Sequence, residues 1–414
     1  MINVPDNVRF HLNCLGFLPK DVRVEDCLSG KYKILLTKAM YGLVDAPLLW
    51  NLSFKAHLVL HMGAWVSHLD DNFYFFRDPE TQVCLGNLST HVDDTGVTGS
   101  QESLDFWRTS IEEKFGKVTR QTLPFLHVGV QYSRLDDGSL FMCQREYCKN
   151  IKPIVFKRGR NPKETLSPEE VTSLRSAIGA LLYLCWTRPD VHADVTIVSQ
   201  KVTKATVAEL KFVNALIQRA QATAHLGLHY HRLTPPLRIM AISDASHASS
   251  STSYAIEGTM VLMVEDRVSN LTAGIVNAKV LNSRCHVFWA NSMKAKRISH
   301  STSHAESLGM YDVSLQAEQL AMRLTELTSP EQLDLKDLIR IEKAGNYDLP
   351  IDVLCDCNDV LELVTGKKGV PQDKSRRLII FFPEGTSTYG SIWFSHSYPH
   401  TGYGVQLSHQ TCSM

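Results

Sequence analysis

Apolar and polar positions along this chain repeat with two different periods, and each change of period marks an element. Residues 31–62 open with a strand-like KYKILL, turn at Tyr41-Gly42-Leu43, pass Pro47 and continue as LLWNLSFKAHLVLHMG, spaced for a helix. FYFFRD and VCLGNLSTHVDDTGVTG then alternate as short strands, and the second folds at His91-Val92-Asp93-Asp94 into a hairpin with two acids at its tip. Ser103 is placed to cap a helix running through Phe115, with Leu104, Trp107, Ile111 and Phe115 on its inner face and Gly116 as its stop. Two strands joined at Asp136-Asp137-Gly138 follow.

From Pro168 to about Leu226 the period is helical, with one interruption at Arg188-Pro189-Asp190, so an all-helical connector is expected. Thr234-Pro235-Pro236 marks a boundary, because paired prolines hold the backbone extended and stop a helix. Beyond it come strands LRIMAISDAS, YAIEGTMVLM and CHVFWANS, a long helix from about Ser303 to Leu327, strand IDVLCDC and helix NDVLELVTG. Three consecutive strands followed by alternating helix and strand indicate a mixed α/β sheet. Residues 378–414 contain one charged side chain, Glu384, keep no sustained period, and are expected to be an irregular tail foreign to the fold.

At 414 residues and 44% hydrophobic content the chain is long enough for two or three soluble domains. Its longest apolar run, Ala177–Thr187, is about half of what a bilayer-spanning helix needs, and no signal peptide is visible, so the expected setting is intracellular, cytoplasmic or nuclear, and reducing. Cys355-x-Cys357 and Cys143-x4-Cys148 each lack the second half of a structural zinc site. The 43 basic and 43 acidic side chains cancel, which argues against attraction of the whole molecule to nucleic acid. Arg145–Lys163 is locally basic, with Glu146 as its single acid, and reads equally as a phosphate-tracking stripe or a solvated face.

The chemistry on offer is acidic. Asp93 and Asp94 at one exposed bend suit a divalent metal, although acidic turns are common. Asp244 and Asp356 end strands, Glu306 lies early on a helix, and Asp373 sits beside Lys374, Arg376 and Arg377. Strand ends are where mixed sheets deliver reactive groups, so one convergent cluster is expected, and mutual repulsion makes such a cluster a metal site. Four isolated surface acids would give the same spacing. Ser303 with Glu306 also reads as a capping box, and Glu306 cannot serve both a cap and a metal. No G-x-S-x-G elbow, Walker loop or G-x-G-x-x-G occurs.

LLTKAMYGLVDAPLLW, THVDDTGVTGS, FLHVGV, LRSAIGALLYLCWTRPDVHADV, ISDASHASS, ISHSTSHAESLGMYDV and LCDCNDVLELV stand in one order between Gly30 and Arg377. In this the chain resembles copia-type retrotransposon polyproteins across their reverse transcriptase and ribonuclease H regions. The resemblance implies an α+β palm-like part at 1–150, a mostly helical thumb or connection at 151–233, a mixed α/β ribonuclease H-like domain at 234–377 and the tail at 378–414. It assigns Asp93 and Asp94 to a polymerase metal site, with His91 replacing the usual aromatic. Asp244, Glu306, Asp356 and, more weakly, Asp373 become the catalytic acids of a ribonuclease H that holds Mg²⁺ or Mn²⁺. The implied partners are RNA/DNA hybrid, template RNA and DNA, with no membrane. Insertions are expected near Val264–Arg284 and Thr328–Tyr347. The upstream polymerase Asp of the family has no match here, because Asp6, Asp21 and Asp26 lie in polar, loop-like sequence. Mg-dependent cleavage of hybrid RNA without primer extension is therefore the first expectation, and a catalytically inactive nucleic-acid-binding remnant is the alternative.

Overall fold

The computed structural model describes residues 44, 46–246, 254–265, 284–296, 298–299, 301–364 and 391–394. Two compact units part between Val118 and Thr119.

In the first unit, helix α1 (Ala46–Leu60) starts beside Pro47, which the first turn accepts because no amide hydrogen is needed there. Strands β1 (Trp65–Val66), β2 (Phe73–Arg77), β3 (Cys84–His91) and β4 (Asp94–Gly99) form an antiparallel meander, and helix α2 (Gln101–Phe115) follows. Phe54, Leu58, Tyr74, Phe76, Leu88 and Trp107 fill the core, with the Trp107 indole stacked on Phe76 at 4.2 Å between ring centres. That indole lies so close to β3 that a Cβ at Gly86, where φ is +153°, would stand 2.8 Å from it and 2.0 Å from the Thr98 carbonyl oxygen. Gly116 stops α2 as expected, but the cap is Ser100, not Ser103. The Ser100 hydroxyl accepts the Ser103 N–H at 3.1 Å, which places Ser103 inside the first turn.

The second unit begins with β5 (Phe125–His127), β6 (Val130–Arg134) and β7 (Leu140–Cys143), then α3 (Arg145–Asn150), α4 (Pro168–Leu184), α5 (His192–Ser199), α6 (Val207–Ala222) and β8 (Leu228–Tyr230). Because β8 returns to pair with β7, residues 119–150 share this unit with the helical connector, and the break falls at 118/119 instead of at the expected 150/151. Capping boxes at Ser167 with Glu170 and at Thr206 with Glu209 start α4 and α6, whose Leu174, Leu181, Leu210 and Ile217 are buried together. Arg188, 3% exposed, ties the interruption down: it grips both Asp190 oxygens at 2.7 Å and donates to the Ala220 and Thr223 carbonyl oxygens.

Strands β9 (Leu237–Ser246), β10 (Ile256–Glu265) and β11 (Cys285–Lys294) form the expected antiparallel set, followed by α7 (Thr302–Thr328), α8 (Leu335–Ala344), β12 (Ile351–Cys355), α9 (Asn358–Val364) and β13 (Ser391–Phe394). The sheet order is β11-β10-β9-β12-β13, with β12 parallel to both of its neighbours. Helix α7 buries Met310, Val313 and Ala317 against Ile239, Ala241, Val261 and Val353. Helix α8 lies within 328–347, one of the two segments expected to be insertions, and 266–283 of the other lies outside the described residues. The tail is not wholly foreign to the fold: Ser391–Phe394 adds an edge strand beside β12, as the sequence Ser-Ile-Trp-Phe suits. The connector packs across Thr234–Pro236 onto β11. Thr196 Oγ1 donates to the Ser292 carbonyl oxygen at 2.7 Å, Tyr230 Oη to that of Val287 at 3.0 Å, and His286 Nε2 to that of His231 at 2.6 Å. Among the described residues no helix is long and apolar enough to cross a membrane.

Candidate functional site

Parallel pairing sets Leu354 of β12 opposite Ile242 of β9, and the same register carried two residues on places Asp356 beside Asp244. Glu306, near the start of α7, reaches the same corner from the helix layer. Its Oε2 accepts the Ala245 N–H at 3.1 Å, which fixes the carboxylate one residue from Asp244. The capping-box alternative therefore falls away. Ser301 caps α7 by accepting the His304 N–H at 3.1 Å, and the Ser303 hydroxyl donates instead to Asp359.

The three acids differ in setting. Glu306 is 4% exposed, while Asp244 and Asp356 open to solvent. Burial first, then the charges of Asp356 and Asp244, push the Glu306 carboxyl up to about 8, against a smaller opposing pull from the Ala245 N–H. Asp244 is also raised, by crowding of protein around its carboxylate and then by Asp356. The Glu306 side chain is almost fully enclosed, and the Ala245 N–H is the donor that holds it. Carboxylate oxygens of Glu306 and Asp356 lie within 4.8 Å of one another, and Asp244 is near enough for its charge to raise Glu306; such oxygens are hard donors, and hard divalent cations fit them.

Cys355, 3% exposed, shares the corner: its Sγ and one carboxylate oxygen each of Glu306 and Asp356 all lie within 4.8 Å of one another. Burial pushes this thiol up to about 12, partly offset by the Cys357 N–H, which donates to Sγ at 3.4 Å. Reading Cys355-x-Cys357 as half a zinc knuckle missed this partner set; the available signal was that Cys355 directly precedes a strand-end acid. A second omission is Glu257 of β10, paired opposite Ala245 and 2% exposed. Burial, then Asp312, pushes it up to about 7, with Lys296 opposing. An acid inside the apolar alternation of YAIEGTMVLM was its mark. Asp373 lies outside the described residues.

Asp93 and Asp94 belong to the other compact unit. Their hairpin forms as expected, with His91 paired to Asp94 and Val92-Asp93 as the turn, and both acids are exposed. Trp50 Nε1 on α1 donates to the Val92 carbonyl oxygen at 2.9 Å, holding the turn to the helix. Val92 has φ +58°, a left-handed conformation that a β-branched residue rarely adopts. Tyr41 and Gly42, expected beside this hairpin, are outside the described residues. The basic stretch 145–163 is partly neutralised, since Lys149 pairs with Glu146 and Arg160 with both Glu164 and Glu170. A groove of about 650 Å³ between this stretch and α4, lined by Tyr147, Lys152, Val155 and Ala177, contains none of the acids.

No family model matches the chain. It is 24% identical over 327 residues to each of two proteins of Arabidopsis thaliana, the retrovirus-related Pol polyproteins from transposons RE1 and RE2, a match covering 75% of this chain. The chain spans 20% of the length of these curated relatives. A foamy viral protease-reverse transcriptase solved in complex with dsDNA aligns with 88% of this chain and 60% of its own at a TM-score of 0.47 and 13% identity.

Proposed function

We propose, from the homology of this chain to Pol polyproteins of copia-type retrotransposons, that its second unit is a metal-dependent endonuclease of the ribonuclease H type, cutting the RNA strand of RNA/DNA hybrids. The observation that carries the proposal is the convergence of Asp244, Glu306 and Asp356, from two strand ends and a helix start, on one solvent-facing corner. Mg²⁺ or Mn²⁺ bound there would supply charge stabilisation for an in-line displacement at phosphorus. The protein's own part is positional. The Ala245 N–H and the wall of α7 hold Glu306 in one orientation, so its carboxylate is presented without rearrangement. Asp244 and Asp356 stand at the open side, where the phosphate backbone of a substrate has access. Their negative field repels a bare phosphate, so binding of cation and of substrate are coupled through these carboxylates. Asp373 is proposed as the fourth acid of the set, with a smaller share because its basic neighbours compete for it.

Asp93 and Asp94 are proposed as a polymerase metal-binding pair. Within this chain no further acid matches that motif, and two carboxylates alone do not align a primer hydroxyl with a triphosphate, so primer extension by residues 1–414 is not expected. A labelled RNA/DNA hybrid tests the main proposal. Cleavage should need Mg²⁺ or Mn²⁺, stop with EDTA, and fall by orders of magnitude in Asp244→Asn. Wild-type and Asp244→Asn proteins of equal activity would overturn it, and binding of hybrid with no cleavage by either would leave the inactive binding remnant.

A further inference from the structure

We infer that Cys355 makes the Glu306–Asp356 corner a binding site for a thiophilic divalent cation, Zn²⁺ or Cd²⁺, held by one thiolate and two carboxylates. The inference stands on the donor geometry and does not depend on nuclease activity. Sγ of Cys355 and carboxylate oxygens of Glu306 and Asp356 already lie within 4.8 Å of one another. Donors around one zinc ion, at about 2.3 Å for sulfur and about 2.0–2.2 Å for oxygen, stand roughly 3.4–3.6 Å apart in a tetrahedron. The difference is within reach of side-chain rotation, and Asp356, at the solvent side, is free to turn. The second, independent mark is Glu306 itself, 4% exposed and held by the Ala245 N–H at 3.1 Å, so that one donor of the set is fixed at the corner before any ion arrives.

Chemistry then separates the ions. Mg²⁺ takes oxygen ligands and gains nothing from sulfur, whereas thiolate selects zinc and its heavier congener. Binding forms a metal–sulfur bond and releases the thiol proton to solvent. Three protein donors leave a fourth position open to water, so the ion sits in the corner without closing it. A cation held through sulfur is not displaced by excess Mg²⁺, and the corner becomes a point at which traces of soft metal compete with the hard ion.

The test uses the full chain, reduced and metal-free, titrated with Cd²⁺ while the ultraviolet charge-transfer absorption of cadmium thiolate is followed. Ten cysteines are present, so the reading is the difference between wild type and Cys355→Ser. Wild type should show one tight equivalent that survives excess Mg²⁺. Cys355→Ser should weaken that equivalent roughly tenfold or more and make it displaceable by Mg²⁺. Asp356→Asn should weaken the same equivalent, and Cys357→Ser should not. Should Cys355→Ser fail to fold, ¹¹³Cd NMR of the wild type gives the answer alone: a resonance from one sulfur among oxygens supports the site, and only multi-sulfur resonances, or none, overturn it. Superimposable titrations of wild type and Cys355→Ser overturn it equally. A chain that binds Cd²⁺ through Cys355 yet cleaves no hybrid would sink the nuclease reading and leave this one standing.

Discussion

Replacing Glu306 by Gln should stabilise the metal-free protein at alkaline pH, although it removes a proposed metal ligand. The amide keeps an oxygen to accept the Ala245 N–H and is nearly the same size, so the change isolates the charge. An acid held at about 8 in the fold and at its ordinary 4.5 in the unfolded chain keeps its proton when folded and gives it up on unfolding. Between those values the unfolded state binds fewer protons, so stability falls as pH rises. The full separation corresponds to a ceiling of about 5 kcal/mol. Part of the strain is shared with Asp244 and Asp356, which relax toward solvent, and about 2 kcal/mol is the expected residue. In a unit of this size that is about 4–8 °C in Tm. Thermal melts in EDTA followed by circular dichroism measure it. The two proteins should melt together below about pH 4.5, where Glu306 is protonated in the folded and unfolded states alike, and separate as pH rises toward about 8, with Gln the more stable. Glu257, also raised, gives both proteins a common slope in the same direction, so the difference between them is the quantity to read. A difference that stays flat with pH, or a Gln variant less stable at alkaline pH, would refute the electrostatic account of this corner.

Three further outcomes are expected. Arg188→Ala should cost about 2–3 kcal/mol, because it leaves the Ala220 and Thr223 carbonyl oxygens without their donor and opens a hole where the buried guanidinium lay, while Asp190, exposed, returns to water; a urea midpoint shift worth less than about 1 kcal/mol would show those bonds to be incidental. Val92→Gly should raise stability by about 1 kcal/mol by relieving its left-handed backbone, read as a higher melting temperature, and a lower one would mean the Val92 side chain is needed at the turn. Asp373→Asn should reduce hybrid cleavage less than Asp244→Asn does, and equal losses would place Asp373 on a par with the other acids.

Local pattern carried the sequence reading a long way. The strand-turn-strand at Asp93, the helix over Pro168–Leu184 and the order of the last domain all follow from period and turn chemistry, which act between near neighbours. What escaped it is nonlocal. Nothing near Ser391 announces a parallel partner at Asp352, because parallel pairing leaves no short turn to read. The break at Val118 depends on β8 returning to β7, another distant pairing. In the site, Asp244, Glu306 and Asp356 were legible as strand-end and helix-start acids. The choice between cap and cluster for Glu306 was not, because Ser301 and Ser303 are equally good caps on paper. Cys355 and Glu257 show the same gap: their roles come from burial beside charge, which no residue spacing reports.

The hydrogen bonds from Thr196 and Tyr230 to the backbone of β11 bear on how the molecule is handled. β11 is an outer strand of its sheet, and it carries half-exposed Phe288 and Trp289. Strands of that kind recruit other strands unless something blunts them. Here the connector does the blunting, by occupying carbonyl groups that an intruding chain would use. A piece cut at residue 234 would keep every acid of the crevice and lose this guard, so its weakness would show first as self-association and only later as lost chemistry.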